Sequence, residues 1–232
     1  MFLDAGGVLV HPNWSRISET LARHGVVAGA AALAAADPHA KKRLDSGPTI
    51  QATSDQQRGW RYFDLVLTEA AIGLSDATAQ ALAELHVYHQ TSNLWETVHD
   101  DVRPMLAALR SHGYRLVVVS NANGTLARAF DRLGLTPALD AVFDSYDEGV
   151  EKPDPRFFHM ALTRTGSEAH STVHVGDLYH VDVVGARAAG IEPILLDAAG
   201  LYEECDCTRV ASLPELVDLL VSRPEAVAKK PR

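Results

Sequence analysis

The segment "YRLVVVS" (residues 114–120) carries apolar residues in succession with little polar alternation, the pattern of a parallel strand that is buried on both faces. Three later segments share this pattern: "AVFDS" (141–145), "TVHVGD" (172–177) and "EPILLD" (192–197). The intervening segments show apolar residues at helical spacing, and several close on glycine, the preferred residue at the end of a helix. This alternation predicts an α/β fold built on a doubly wound parallel sheet.

The chain upstream of this region has a different character. Residues 12–95 are rich in Ala, Leu, Glu and Arg and show helical patterns without an obvious strand. A short strand, "FLD" within "FLDAGGVLV" (2–10), precedes them. We therefore predict a core domain of residues 1–11 and 96–232 and an all-helical cap of residues 12–95. The cap is expected over the carboxyl end of the first strand, where open parallel sheets bind ligands.

Composition narrows the classes of partner. The 232 residues carry a formal net charge of −9 and include only five lysines, which argues against a nucleic-acid-binding surface. No apolar run approaches the roughly 20 residues of a membrane span, and no basic and apolar leader precedes the first strand. We expect a cytoplasmic monomer or homodimer that binds a small molecule and neither nucleic acid nor membrane.

Two further expectations concern the C-terminal region. Cys205 and Cys207 lie too close together for an easy disulfide, and no other cysteine is present to help bind zinc, so we predict two thiols. The last residues, "EAVAKKPR" (225–232), are predicted to form a frayed tail.

Polar residues follow the predicted strands at the sheet edge where ligands bind. Asp4 follows the first strand, and its carboxylate could attack phosphorus to form an aspartyl ester, which divides one difficult displacement into two easier ones. Ser120 ends "YRLVVVS", and its hydroxyl could hold a phosphoryl oxygen together with nearby backbone N–H groups, in a loop that Asn121 would orient. Lys152, in "EKPDP", would offset negative charge on the nucleophile and on the phosphoryl group.

A pair of carboxylates completes this set. Asp177 and Asp182, in "GDLYHVD", lie five residues apart across a predicted strand-to-helix junction and could converge on one hard cation. Mg²⁺ suits such a site because it takes oxygen ligands and keeps water and substrate phosphate in its shell.

These four motifs, in this order, resemble those of the haloacid dehalogenase-like (HAD) superfamily, in the branch (subfamily I) whose helical cap is inserted directly after the first motif. The resemblance extends from residue 2 to about residue 222. It implies a Mg²⁺-dependent phosphohydrolase that acts on a small phosphorylated metabolite through an aspartyl-phosphate intermediate.

The resemblance also implies roles for individual residues. Three would be catalytic: Asp4, Ser120 and Lys152. Three would bind substrate: Ser120, Asn121 and Lys152. Four would form the metal site: Asp4, Gly6 through its backbone carbonyl, Asp177, and Asp182 in a supporting position.

Gly6 departs from the family pattern. Phosphatases of the superfamily usually carry a second aspartate there, which protonates the leaving oxygen and then activates the hydrolytic water. Gly6 retains a carbonyl for the metal but cannot move a proton, and loss of a general acid/base typically costs about 10²- to 10⁴-fold in rate. Alkyl phosphates are therefore expected to be poor substrates, compared with acyl or aryl phosphates, unless Tyr179, His180 or His11 supplies the proton.

Three alternatives to a phosphohydrolase remain open. A dehalogenase needs no proton for its leaving halide, but dehalogenases of the superfamily work without magnesium and typically lack the acid that Asp177 supplies here. A phosphonate hydrolase would need a cap lysine for a Schiff base, and the only cap lysines, Lys41 and Lys42, look like part of a solvated helix face. A catalytically silent member that binds a phosphorylated metabolite or a protein partner is disfavoured, because the chain retains Asp4, Lys152, Asp177 and Asp182.

Specificity is expected to depend on the cap. Four residues could line the cleft, where the segment "RGWRYF" (58–63) offers aromatic faces and two guanidinium groups for an anionic substrate, or they could equally form the cap's own core. They are Trp14, Trp60, Arg61 and Tyr62.

Overall fold

The computed structural model describes residues 1–222, apart from the side chain of Gln56. The chain divides into two compact units, one of Met1–Val10 together with the chain from Val98 onward, the other of His11–Thr97. The domain bounds expected from the sequence lie within two residues of these. The predicted tail, residues 225–232, lies outside the described residues.

The secondary structure in chain order is as follows. The strands are β1 (Phe2–Leu3), β2 (His11–Pro12), β3 (Trp95–Thr97), β4 (Val117–Ser120), β5 (Ala141–Asp144), β6 (Val173–Gly176), β7 (Glu192–Leu196) and β8 (Thr208–Val210). The helices are α1 (Trp14–Arg23), α2 (Ala30–Leu44), α3 (Gly47–Ala52), α4 (Asp55–Glu69), α5 (Asp76–Ser92), α6 (Val102–Ser111), α7 (Leu126–Leu133), α8 (Ser145–Glu148), α9 (Pro155–Thr165), α10 (Val184–Ala188) and α11 (Leu213–Val221). A π-helical turn occupies Tyr179–Val183, and 3₁₀ turns occupy Thr136–Ala138 and Ala169–Ser171.

The first unit is built on a parallel sheet of six strands in the order β5-β4-β1-β6-β7-β8, flanked by helices. This confirms the predicted α/β class and the doubly wound parallel sheet. The chain leaves β1 toward β4 and β5 on one side and later continues through β6 on the other side. The carboxyl end of β1 therefore lies at the point where the strand order reverses, which is where open α/β sheets bind ligands.

Apolar residues of the central strands form the core of this unit. Phe2, Val117 and Val119 are buried and pack in one cluster with Phe157 and Phe158 of α9. Such strands carry apolar residues in succession because helices cover both faces of the sheet, so no alternating polar face is needed.

The second unit has its own core, formed by apolar residues of the long helices. Among them are Ile17 and Leu21 of α1, Leu33 of α2, Val66 of α4 and Leu85 of α5. The ends of the unit form a two-stranded antiparallel ladder of β2 and β3, which was not expected from the sequence because strands of two and three residues carry no readable periodicity.

Two smaller expectations can be compared with the structure. Neither Cys205 nor Cys207 forms a disulfide, and both are partly buried, in agreement with the two predicted thiols. In the part of the chain that the structure describes, no helix combines the length and the apolarity that a membrane crossing requires.

Candidate active site

Asp4 lies directly after β1, at the carboxyl edge of the sheet. Its backbone N–H donates to the carbonyl of Val175 in β6 at 2.8 Å, which continues the ladder by one residue. One carboxylate oxygen, Oδ1, accepts from the N–H of Ala5 at 2.8 Å, and the residue is largely buried. The carboxylate is thus held in one place at the strand-order reversal.

The turn after Asp4 is closed by backbone hydrogen bonds. The N–H groups of Val8, Leu9 and Val10 all donate to the carbonyl of Ala5, and the N–H of Gly7 donates to Val10. Gly7 has a φ of +78°, a left-handed conformation that glycine adopts at little cost. Gly6 is partly exposed between buried neighbours, so the turn that follows the carboxylate is accessible at this position.

Lys152 is fully buried between two carboxylates. Its Nζ lies 2.9 Å from Oδ1 of Asp4 and 2.7 Å from Oδ1 of Asp182. Burial opposes the charged form, but the carboxylates of Asp182 and Asp4 outweigh it, and the pKa of Lys152 lies well above its ordinary value. The side chain is therefore a fixed positive charge in contact with Asp4.

Asn121 holds the backbone of Lys152 from both sides. Its Oδ1 accepts from the Lys152 N–H at 2.7 Å, and its Nδ2 donates to the Lys152 carbonyl at 3.0 Å. The sequence suggested that Asn121 orients its own loop, whereas the structure shows that it joins the end of β4 to the segment that carries Lys152. Ser120 is the buried last residue of β4, with its Oγ 3.4 Å from the Asn121 carbonyl.

Asp144 and Ser145 stabilise the loop that follows β4, and sequence reasoning missed both. Asp144 lies beside Ser120 in the sheet register, and its Oδ2 accepts from the Gly124 N–H at 2.9 Å. The hydroxyl of Ser145 accepts from the Ala122 N–H at 3.1 Å. Burial raises the pKa of Asp144, although backbone N–H groups partly compensate. The sequence feature that could have indicated this role is the polar pair, Asp144 and Ser145, at the end of "AVFDS".

Three carboxylates form a cluster that could hold a cation. One oxygen from each of Asp4, Asp177 and Asp182 lies within 4.8 Å of the others. An all-oxygen set of this kind fits a hard cation such as Mg²⁺. Both oxygens of Asp182 already accept hydrogen bonds, Oδ1 from Lys152 and Oδ2 from the N–H of Leu178 at 3.1 Å. Asp182 is therefore suited to a supporting position.

His174 of β6 is a third residue that sequence reasoning missed. The ring is fully buried, with Nε2 2.9 Å from Oδ1 of Asp182, and it packs edge-on against Phe158. Burial lowers the pKa of His174, despite the neighbouring Asp182 carboxylate. The signal in the sequence was a histidine inside an apolar strand segment, "TVHVGD".

The residues considered as substitute proton carriers occupy different places. The hydroxyl of Tyr179 donates to Oδ1 of Asp206 at 2.7 Å and lies 3.4 Å from Nη1 of Arg187. The hydrogen bond to Asp206 raises the pKa of Tyr179, so this hydroxyl keeps its proton more firmly. His180 follows on the π-helical turn, and His11 belongs to the other unit, in β2.

Most of the residues considered for specificity belong to the core of their own unit. Tyr62 is buried and donates to Asp37 at 2.5 Å, while Trp14 and Trp60 pack against the apolar cluster. Of these four candidates, Arg61 is exposed.

The expectation of a solvated lysine face is wrong for Lys41. Its side chain is only 16% exposed, and Nζ lies 3.3 Å from the carboxylate of Asp37 one helical turn away. Asp37 is itself buried and attracts the ammonium group. The Lys41 side chain is therefore held by a carboxylate of its own helix.

The absence of a side chain at Gly176 leaves room for the Asp182 carboxylate. A Cβ at residue 176 would lie 2.1 Å from Cγ of Asp182. We expect Gly176→Ala to displace Asp182, to lower the free energy of unfolding by about 1–3 kcal/mol and to reduce turnover in parallel. Urea denaturation and steady-state kinetics measure both. Gly59→Ala is the control, because a Cβ there meets nothing within 4 Å; equal effects of the two variants would contradict the prediction.

Comparison with curated proteins relates the chain to known hydrolases. The family model "Hydrolase: haloacid dehalogenase-like hydrolase" matches residues 1–190. Haloacid dehalogenase-like hydrolase domain-containing protein 3 of Bos taurus is 30% identical over 192 residues, 81% of this chain and 76% of that protein. Glyceraldehyde 3-phosphate phosphatase of Methanopyrus kandleri is 30% identical over 167 residues, 71% of this chain and 68% of that protein.

A third relative matches over a shorter region. Ribulose-1,5-bisphosphate 5-phosphatase of Halopiger xanaduensis is 37% identical over 112 residues. This match covers 48% of the present chain and 46% of that phosphatase, so it spans about half of either protein.

Solved structures share the fold. The HAD-hydrolase YfnB from Bacillus subtilis superposes with a TM-score of 0.68 at 17% identity, covering 94% of this chain and 96% of that chain. A dehalogenase with an intermediate complex superposes with a TM-score of 0.66 at 23% identity, covering 96% of both chains. Since the family model matches most of the chain and the Bos taurus relative aligns over 81% of it, the protein belongs to the haloacid dehalogenase-like hydrolases.

Proposed function

We propose that this hydrolase is a Mg²⁺-dependent phosphohydrolase that acts on a small phosphorylated metabolite through an aspartyl-phosphate at Asp4. The observation that carries the proposal is the environment of Asp4, which contacts Nζ of Lys152 at 2.9 Å and shares a carboxylate cluster with Asp177 and Asp182. A nucleophile beside a fixed cation and a hard-cation site suits attack on an anionic phosphoryl group.

The first chemical step is attack by the Asp4 carboxylate on phosphorus. Oδ1 already accepts from Ala5 and Lys152, which favours Oδ2 as the attacking atom. A bond forms from this oxygen to phosphorus, and the bond from phosphorus to the leaving oxygen breaks with its electron pair on that oxygen. In the second step a water oxygen attacks phosphorus, the bond from phosphorus to the Asp4 oxygen breaks with its electron pair on the regenerated carboxylate, and the phosphate leaves with the protons of the water.

Other residues of the site bind or position the reacting groups. The Lys152 ammonium offsets the charge of the nucleophile and of the phosphoryl oxygens. The Ser120 hydroxyl is proposed to bind a phosphoryl oxygen at the end of β4. Asn121 contributes by holding the Lys152 backbone. Mg²⁺, held by Asp4, Asp177 and the Gly6 carbonyl with Asp182 in support, would neutralise phosphoryl charge.

Gly6 directs the proposal toward substrates with good leaving groups. No side chain at this position can protonate the leaving oxygen, so an acyl or aryl phosphate, whose leaving group is stable as an anion, is favoured over an alkyl phosphate. The phosphatase relatives support a small phosphorylated substrate, but the two named for glyceraldehyde 3-phosphate and ribulose 1,5-bisphosphate act on alkyl esters. We therefore expect substrate preferences that differ from theirs. We also propose that the protein acts in the cytoplasm as a monomer or a homodimer.

A substrate panel tests this function. The purified protein is assayed with acyl, aryl and alkyl phosphates, each with Mg²⁺ and with excess EDTA, beside a panel of 2-haloacids. We expect Mg²⁺-dependent phosphate release that is fastest with acyl or aryl phosphates and lost on chelation. Halide release that is independent of metal would replace the proposal with a dehalogenase, the candidate that the missing aspartate at position 6 favours.

A further inference from the structure

The buried ring of His174 lies in the interior of the active site yet has no part in the proposed reaction steps. Nε2 is 2.9 Å from Oδ1 of Asp182, the same oxygen that lies 2.7 Å from Nζ of Lys152. Lys152 in turn contacts Asp4. The ring is therefore the inner end of a continuous chain of hydrogen bonds that runs from His174 through Asp182 and Lys152 to the nucleophile.

The contacts of the ring decide where its proton lies. Nε2 faces a carboxylate oxygen, which can only accept from it, so Nε2 carries hydrogen. Nδ1 is buried and has no hydrogen-bond partner among residues 1–222. The hydrogen bond between the ring and Asp182 is therefore donated by the Nε2–H.

We propose that His174 is a positioning residue: its Nε2–H holds the Asp182 carboxylate so that Lys152 remains in contact with Asp4. Lys152 is shared between two carboxylates, and each competes for the same ammonium. The hydrogen bond that His174 donates stabilises the negative charge of the Asp182 carboxylate, so this carboxylate attracts Lys152 less strongly. Without it, Asp182 would attract Lys152 more strongly and draw Nζ away from Asp4. The kinetic part of this inference rests on the proposed function, whereas the geometric part does not.

Two substitutions separate hydrogen bonding from packing. His174→Gln places an amide N–H about as far from the backbone as the imidazole Nε2, so that it can still donate to Asp182. His174→Leu fills a similar volume without a donor. His170→Leu is the matched control, because His170 is an exposed histidine that pairs with Glu168 on the surface.

The kinetic test compares kcat and KM for the wild type and the three variants with an acyl phosphate. We expect His174→Leu to lower kcat about 10- to 100-fold with little change in KM, which corresponds to one lost hydrogen bond to a charged group. His174→Gln should recover most of this loss, and His170→Leu should match the wild type. Equal kcat values for His174→Gln and His174→Leu would overturn the inference, because a purely structural role does not depend on the donor.

Crystal structures of the two His174 variants provide a readout that is independent of activity. We expect the distance from Lys152 Nζ to Asp4 Oδ1 to exceed 3.5 Å, the hydrogen-bond limit, in His174→Leu and to remain within that limit in His174→Gln. An unchanged distance in His174→Leu would overturn the positioning role. If the wild type releases no phosphate from any substrate, the proposed function fails, and these distances still decide the role of His174.

Discussion

Asp4→Asn is expected to abolish phosphate release from every substrate, with a loss of at least about 10⁴-fold, as for removal of other covalent nucleophiles. The amide oxygen is a poor nucleophile, so no phosphoryl ester can form at this position. The substitution preserves size, and the amide oxygen can still accept from the Ala5 N–H and from Lys152. We therefore expect the loss of activity without loss of the fold.

Two measurements check this expectation. Steady-state kinetics with an acyl phosphate gives the change in turnover, and mass spectrometry of protein quenched in acid detects a phosphoryl group on a peptide that contains Asp4. The wild type should show this adduct, and Asp4→Asn should not. Asp218→Asn, which changes an exposed aspartate of α11 in the same way, is the control and should behave as the wild type. Activity within tenfold of the wild type in Asp4→Asn would exclude Asp4 as the nucleophile.

Gly6→Asp is expected to raise turnover of alkyl phosphates by about 10²- to 10⁴-fold, the usual contribution of a positioned general acid/base. The partly exposed Gly6 lies two residues after the nucleophile, in a turn that is held by backbone hydrogen bonds. A carboxylic acid there could protonate the leaving oxygen and then remove a proton from the attacking water. The rate of the first step should increase much less for acyl phosphates, because their leaving group needs no proton.

The lifetime of the phosphoenzyme gives a second measure of the same substitution. Without a base at position 6, water attacks the aspartyl phosphate slowly, and the adduct should accumulate in the wild type during turnover of an acyl phosphate. Gly6→Asp should shorten its lifetime. Gly6→Asn is the control, since it adds a side chain of similar shape that does not transfer a proton. Equal rates in the Asp and Asn variants would indicate that another group of the wild type already moves the proton.

The sequence predicted the sheet and the order of the motifs because both depend on local patterns. Apolar strands such as "YRLVVVS" must be buried on both faces, and the carboxyl ends of parallel strands meet at one edge. Asp4 and Lys152 could therefore be expected together although they are 148 positions apart in the sequence. The ladder of β2 and β3 was not predicted, because strands of two and three residues are too short to show a periodic pattern.

The tertiary structure decided which atoms meet within that edge. The sequence did not predict that Asn121 holds the Lys152 backbone, that Asp144 stabilises the loop after β4, or that His174 donates to Asp182. It also suggested a solvated Lys41, which the structure pairs with Asp37. Each contact depends on the register of neighbouring strands or on the packing of helices, and the identity of a residue does not reveal which buried donor faces which acceptor. The sequence by itself therefore determined the fold, the proposed nucleophile and the absence of a proton carrier at position 6, whereas the network that holds Lys152 on Asp4 was decided by tertiary packing.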